Sequence, residues 1–211
     1  MIDRLLADHC CPVQHINLIA VSSGPGSFTG LRVGISTAQG LALAEGKDLM
    51  AVPTLEVIAY QACGHRENVC PMIDVRGQEI YTALFQFEGS AEMKRITDET
   101  VCKPENWLAG IKGKTVFLGS GACRYEQQIT SLLGVAAIVL PPYAGIPKAS
   151  TVARLARQRY GQHAHNDLYN IAPVYVRPPD AERNADSGKE SSQPVIMHEC
   201  KDQDQAVKRK Q

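Results

Sequence analysis

No uninterrupted apolar run in the 211 residues approaches the roughly 20 needed for a helix to cross a bilayer, so a membrane-spanning protein is not expected. Met1-Ile2-Asp3-Arg4-Leu5-Leu6 also lacks the charged-then-apolar order of a secretion signal. There is no excess of charge of either sign, because Lys+Arg and Asp+Glu both number 22. A global basic field that would hold nucleic acid is thereby excluded. Aromatic residues make up only 6% of the chain, with a single tryptophan. No CxxC pair occurs: Cys10, Cys11, Cys63, Cys70, Cys102, Cys123 and Cys200 are scattered and odd in number. That pattern argues against a zinc cluster or a disulfide frame and fits reduced thiols in a cytoplasmic protein. What remains, 44% hydrophobic and 21% charged residues, suits a globular fold.

The feature around which the chain is organised is Gly24-Pro25-Gly26-Ser27-Phe28-Thr29-Gly30-Leu31-Arg32 with the helix that follows. Ile16 to Val21 reads as a buried strand, and Pro25 should end it. Ser27 and Thr29 can each accept from orphan amides of a first helical turn. The helix should run from Leu31 to Glu45 and stop at Gly46. Gly26, Gly30, Gly34, Ala38 and Ala42 recur every fourth residue and share one nearly bare helix face. Each interior glycine costs about 1 kcal/mol relative to alanine, and close approach of another backbone is the expected return. The neighbour is either the chain's own sheet or a partner helix; periodicity alone favours the sheet, since most small-residue stripes are core.

Beyond this unit, Leu49–Val52 is a short strand and Thr54 can cap a helix to about Cys63. Val69–Asp74 and Glu79–Phe87 read as paired strands, with Tyr81, Ala83, Phe85 and Phe87 on one face. A further strand with its turn, a helix holding Trp107, a strand at Thr115–Leu118 and another at Val135–Leu140 follow. A last helix, Val152–Tyr160, is capped by Ser150 or Thr151. Polar residues 64–68 mark a boundary, which divides the chain into 1–66, 67–180 and a charged, disordered tail at 181–211. Candidate chemistry is sparse. His9 and His15 flank Cys10 and Cys11 without regular metal-ligand spacing. Asp74 and Glu79 enclose Arg76, which favours a salt-bridged hairpin over an acid/base pair. Gly119-Ser120-Gly121 after a strand can present amides to a phosphate or simply turn tightly. Arg154, Arg157 and Arg159 form a local basic patch, more in keeping with a solvated face than with phosphate contacts. No catalytic residue and no metal ligand is assigned.

The run GPGSFTGLRVGISTAQGLALA from Gly24 resembles the signature of the TsaB (YeaZ) family. Two later stretches agree in order: Ile73 to Tyr81 and Ala172 to Arg177. The resemblance implies a two-lobed, duplicated ribonuclease-H-like α/β fold of the actin-like ATPase class, its first lobe incomplete here. The family opens with strands bearing an Ile-Asp-Thr type motif, and this chain starts at the tail of the helix that follows them; a misplaced start codon is the expectation. The family's catalytic sisters carry a His-x-x-x-His metal motif, whereas the local pair here, His163 and His165, has the wrong spacing. The implied function is a non-catalytic, activating subunit for threonylcarbamoyl transfer to the adenosine beside the tRNA anticodon. Its implied partners are a TsaD-like catalytic paralogue and a TsaE-like ATPase, with tRNA engaged indirectly. Gly30, Leu31, Gly34, Ala38, Leu41 and Ala42 are the expected interface, and Gly24, Gly26, Ser27, Thr29 and Arg32 the glycine-rich loop. No cofactor is expected on this chain alone, and ATP or ADP is expected at an interface within the complex. Two alternatives stand beside it. One is a nucleotide-dependent transferase or glycoprotease-like peptidase using the loop to cradle phosphate, although Thr29-Gly30-Leu31 stands where a Walker loop has Gly-Lys-Ser/Thr. The other is a self-pairing homodimeric scaffold.

Overall fold

The computed structural model describes residues 2–75, 77–89, 92–160 and 171–173. All of them belong to one contact unit, 1–177; 178–211 forms the other. His163, His165, Arg76, the stretch 174–177 and the charged tail lie outside the described residues.

A short helix α1 (Ile2–Asp8) precedes β1 (Leu18–Gly24), α2 (Phe28–Glu45), β2 (Asp48–Pro53) and α3 (Thr54–Tyr60). The strands β1 and β2 pair in parallel, from Leu18↔Asp48 to Gly24↔Pro53, as a strand–helix–strand crossover requires. Among the described residues β1 pairs with no other strand. Alternate residues of β1 serve opposite faces. Ile19 and Val21 meet Ala38, Ala42 and Leu49 under α2, while Leu18 and Ala20 pack on the other side against the main core.

The second sheet starts with β3 (Asn68–Val75), β4 (Glu79–Thr82), β5 (Phe85–Glu88), β6 (Glu92–Arg95) and β7 (Thr100–Cys102). The strands β4 and β5 are two halves of one line. Both run antiparallel to β3 in the same register, Met72↔Thr82 and Val69↔Phe85. In the next line β7 pairs with β4 and β6 with β5. Residues Ile96–Glu99 bulge between them, held where the Leu84 N–H donates to Thr97 Oγ1 at 2.9 Å and its carbonyl accepts from Ile96.

After α4 (Pro104–Gly110), β8 (Thr115–Leu118) joins β3 in parallel. Two helices, α5 (Ser120–Arg124) and α6 (Glu126–Leu133), then lead to β9 (Ala137–Val139), parallel to β8. The faces alternate as period two demands: Val69, Phe85, Val116 and Leu118 meet α3 and the final helix α7 (Ala149–Tyr160). Cys70, Met72, Ile80 and Phe117 meet Leu108 of α4 and Ile129 of α6. Thus the face expected for Phe85 and Phe87 is buried, and the opposite one is covered at β3, β4 and β8 but exposed at Gln86 and Glu88 of β5.

Ion pairs and hydrogen bonds fasten α7 to earlier elements. Arg159 pairs with Glu56 of α3, and the Tyr160 hydroxyl donates to Asp48 of β2. Holding that proton against Asp48 raises the Tyr160 phenol above its ordinary pKa. Thr54 does not cap α3: its hydroxyl lies 2.7 Å from Ser22 Oγ, tying α3 to β1 instead.

Candidate partner-docking face and glycine loop

Strand β1 ends at a cis Gly24–Pro25 bond, with Gly24 at φ +116° and a register shift after Ser22. The backbone then turns so that Ser27 becomes the N-cap of α2; its Oγ accepts from Gly30 N–H at 3.3 Å and its carbonyl from Leu31 N–H at 2.8 Å. One orphan amide of this helix start, that of Gly30, is therefore capped by a side chain, and the Leu31 bond is the first rung of the helical ladder. Thr29 lies inside the first turn and caps nothing. The Arg32 guanidinium carbon sits 4.1 Å from the Phe28 ring centroid. At the far end Gly46 adopts φ +59° and closes the helix on Ala42 O, the expected left-handed stop.

Helix α2 has two distinct faces. Leu31, Ile35, Ala38 and Ala42, at the spacing i, i+4, i+7, i+11, point inward. Ala38 is 7% exposed and Ala42 0%, both packed on the chain's own β1–β2 pair. The outer face carries Val33 (61% exposed) and Leu43 (63%) with Gly40 between them. A Cβ built at Gly34 or Gly40 meets nothing within 4 Å.

The second glycine unit behaves differently. A Cβ on Gly119 would stand 2.3 Å from Met72 O, and one on Gly145 2.2 Å from Gly119 N. These glycines let three backbones meet, and Gly119-Ser120-Gly121 is a packing device rather than a phosphate cradle. The expected hairpin bridge around Arg76 falls outside the described residues; Asp74 Oδ2 accepts from Arg124 of α5 at 2.7 Å, and that carboxylate holds the guanidinium pKa above its ordinary value. Among the described residues no three His, Cys, Asp or Glu side chains converge at a spacing suited to a metal ion.

The family model for TsaD, tRNA N6-adenosine threonylcarbamoyltransferase, matches residues 1–185. A tRNA threonylcarbamoyladenosine biosynthesis protein TsaB from Haemophilus influenzae is 31% identical, over 84% of this chain and 77% of its own. The Escherichia coli TsaB is likewise 31% identical, over 84% and 78%. The chain belongs to this family, on its TsaB branch. Among solved structures, a Pseudomonas aeruginosa protein described as similar to peptidase YeaZ superimposes with a TM-score of 0.69 at 28% identity, covering 84% of this chain and 81% of that one. With that neighbour, the antiparallel β3–β7 lines followed by parallel β8 and β9 are the ribonuclease-H-like, actin-like plan.

For this TsaB-family chain, the expected interface residues do not form one surface. Gly30 is exposed, Gly34 and Leu41 are half-buried, and Leu31, Ala38 and Ala42 belong to the inner face. This corrects the reading of the every-fourth-residue stripe as a single bald flank: its C-terminal half is filled by the chain's own sheet. A stripe with period four drifts around a helix of 3.6 residues per turn, so its two ends face different neighbours. The outward residues that the stripe missed are Val33, Gly40 and Leu43. Their signal was in the sequence, as apolar or bare positions left over once Leu31, Ile35, Ala38 and Ala42 are assigned inward. Of the loop residues, Gly24 is buried, whereas Gly26, Ser27, Thr29 and Arg32 are exposed at the head of α2.

Proposed function

We propose that this chain is an accessory, activating subunit for threonylcarbamoyladenosine formation on tRNA, and that the outer face of α2 docks on a TsaD-like catalytic subunit. The TsaB relatives carry the biosynthetic role in their names. The observation that carries the docking is Gly40. It sits in the interior of an 18-residue helix, on its exposed face, and no neighbouring atom among the described residues requires it. A glycine there costs about 1 kcal/mol in helix stability, so its use needs a reason from outside the chain. Beside it Val33 and Leu43 expose the apolar area that a partner would bury.

In this reading the chain makes and breaks no bond, and it acts by holding the catalytic subunit in its working shape. ATP or ADP binds at the joint interface, because the loop carries no lysine and Ser27 already caps the Gly30 amide at the head of α2. A TsaE-like ATPase joins the same assembly, and tRNA is held largely by the partners.

The test is co-elution of the two subunits in size-exclusion chromatography. Val33→Glu and Leu43→Glu should each abolish co-elution while leaving the urea midpoint within about 0.5 kcal/mol, as expected of exposed positions. Gly40→Leu should do the same by filling the space the partner needs. Persistence of the complex through all three substitutions overturns the proposal. A dimer of the chain alone in light scattering, abolished by the same substitutions, would assign the face to self-pairing instead.

A further inference from the structure

We propose that the cleft between the end of α3 and the outer face of α7 binds the phosphate backbone of an RNA. The cleft measures about 910 Å³ and is lined by Lys148, Arg154 and Arg157, with Gln61, Ser150 and Thr151 among its neutral residues. No carboxylate lines it among the described residues. Elsewhere in this part of the fold, arginines are matched: Arg95 and Arg159 meet Glu56, and Arg124 meets Asp74. Lys148, Arg154 and Arg157 have no ion pair among the described residues. Arg154 and Arg157 stand three apart on one helix, where like charges repel by a few tenths of a kcal/mol. An anionic ligand relieves that repulsion.

Gln61 gives an independent sign. It lines the same cleft, and both its amide nitrogen and its amide oxygen are buried without a hydrogen-bond partner. An unsatisfied buried amide costs about 1–3 kcal/mol, and no hydrogen bond is broken when the Gln61 side chain turns out of the wall to offer its NH₂ to a phosphate oxygen.

The shape of the charge selects a strand over a single phosphate. From Lys148 to Arg157 the cations extend over roughly 14 Å at 1.5 Å per helical residue. There is no platform for a base: the aromatic side chain of the lining, Tyr60, is buried and set edge-on to Phe87. Binding therefore reads backbone charge without sequence, the mode governed by counterion release.

The test measures anisotropy of a labelled tRNA transcript with the full chain at several salt concentrations. Because the readout needs no partner subunit, it stands or falls separately from docking through α2. The wild-type chain should bind with a linear loss of affinity against log salt. In Lys148→Ala/Arg157→Ala the slope should fall by about 1.5, from about 0.7–0.9 per lost phosphate contact, with at least about fivefold weaker binding at low salt. Arg154→Gln, which retains a long side chain over Tyr60, should lower the slope by about half as much. The equal-charge control Lys112→Ala/Lys114→Ala, at exposed sites outside the cleft lining, should leave the slope unchanged. Equal loss in the control, or no RNA binding by the wild-type chain, overturns the proposal. Binding of inorganic phosphate or ATP that depends on the cleft, with no RNA binding, overturns the strand assignment as well. Circular dichroism confirms that each variant is folded.

Discussion

Glu56 of α3 is gripped from two later elements at once: Arg95 of β6 donates to its Oε1 at 2.7 Å, and Arg159 of α7 donates to Oε2. The carboxylate is 9% exposed as a residue, whereas the two arginine side chains remain about one-third exposed. The acid is thus the member that cannot be rehydrated, and the arginines are the members that can.

Stranding the acid by removing both arginines should therefore cost more than removing the acid itself, whereas loss of one arginine leaves the other on the carboxylate. Glu56→Ala should lose about 2–3 kcal/mol in urea unfolding, and Arg159→Ala about half of that because Arg95 still neutralises the carboxylate. A loss below about 0.5 kcal/mol for Glu56→Ala would show that the network contributes nothing.

Glu99 lies beside the same cluster, and burial raises its carboxyl pKa above the ordinary 4.5, with Arg95 opposing and Glu56 reinforcing the shift. An unfolded Glu99 releases its proton first, so the folded state binds more protons in the window above pH 4.5. Its contribution to stability is greatest below that window and is lost as pH rises through the folded pKa. Glu99→Gln should abolish this decline, so the variant gains on the wild type between pH 4 and pH 7 in urea midpoints. An identical pH dependence of the two proteins would contradict the burial of this carboxyl.

Two sets of glycines should respond in opposite directions to alanine. Gly34→Ala and Gly40→Ala should each stabilise the isolated chain by about 0.5–1 kcal/mol, because open space surrounds both and alanine is the better helix former. Gly119→Ala should destabilise by at least about 2 kcal/mol, since its Cβ would collide with Met72 O at a φ of +108°. Thermal midpoints of the three variants check the contrast.

Burial pushes the Cys70 thiol up to about 11, against hydrogen bonds from Thr82 and Trp107 that partly lower it. Thiolate is the reactive form, so Cys70 should resist a disulfide reagent at pH 8 until the protein unfolds, while exposed Cys10 and Cys63 react at once. Stability should also decline as pH rises above 9, where an unfolded thiol ionises and the folded one does not. Rapid labelling of Cys70 in the folded protein, read by mass spectrometry, would show that this core opens readily.

Local chemistry made much of the scaffold readable. The strand before Pro25, the Ser27 cap and the Gly46 stop rest on backbone constraints that a few neighbours impose, and all three appear in the structure. The Trp107 helix and the Thr115–Leu118 strand were legible for the same reason. Thr54 was misread because its hydroxyl had two available partners, the local amide and Ser22, and only the crossover places Ser22 within reach. For Asp74 the nearby sequence offers only Arg76, whereas Arg124 of α5 comes within reach only once β8 is laid beside β3.

The amino-acid order alone determined that this chain is a TsaB-family α/β protein organised on a glycine loop and a helix poor in side chains. Tertiary structure decided which side of that helix is available. The inner side fills because β1 and β2 need cover; Ala38 and Ala42 are small enough to sit there, and helix geometry turns Val33, Gly40 and Leu43 away. It also decided which cations are matched, because Glu56 can neutralise Arg95 and Arg159 only where α3, β6 and α7 meet, and it leaves Lys148, Arg154 and Arg157 facing a cleft with no carboxylate among its described lining residues. Residue identity fixes charge and volume; the partner that each one meets is set by distances that only the folded chain contains.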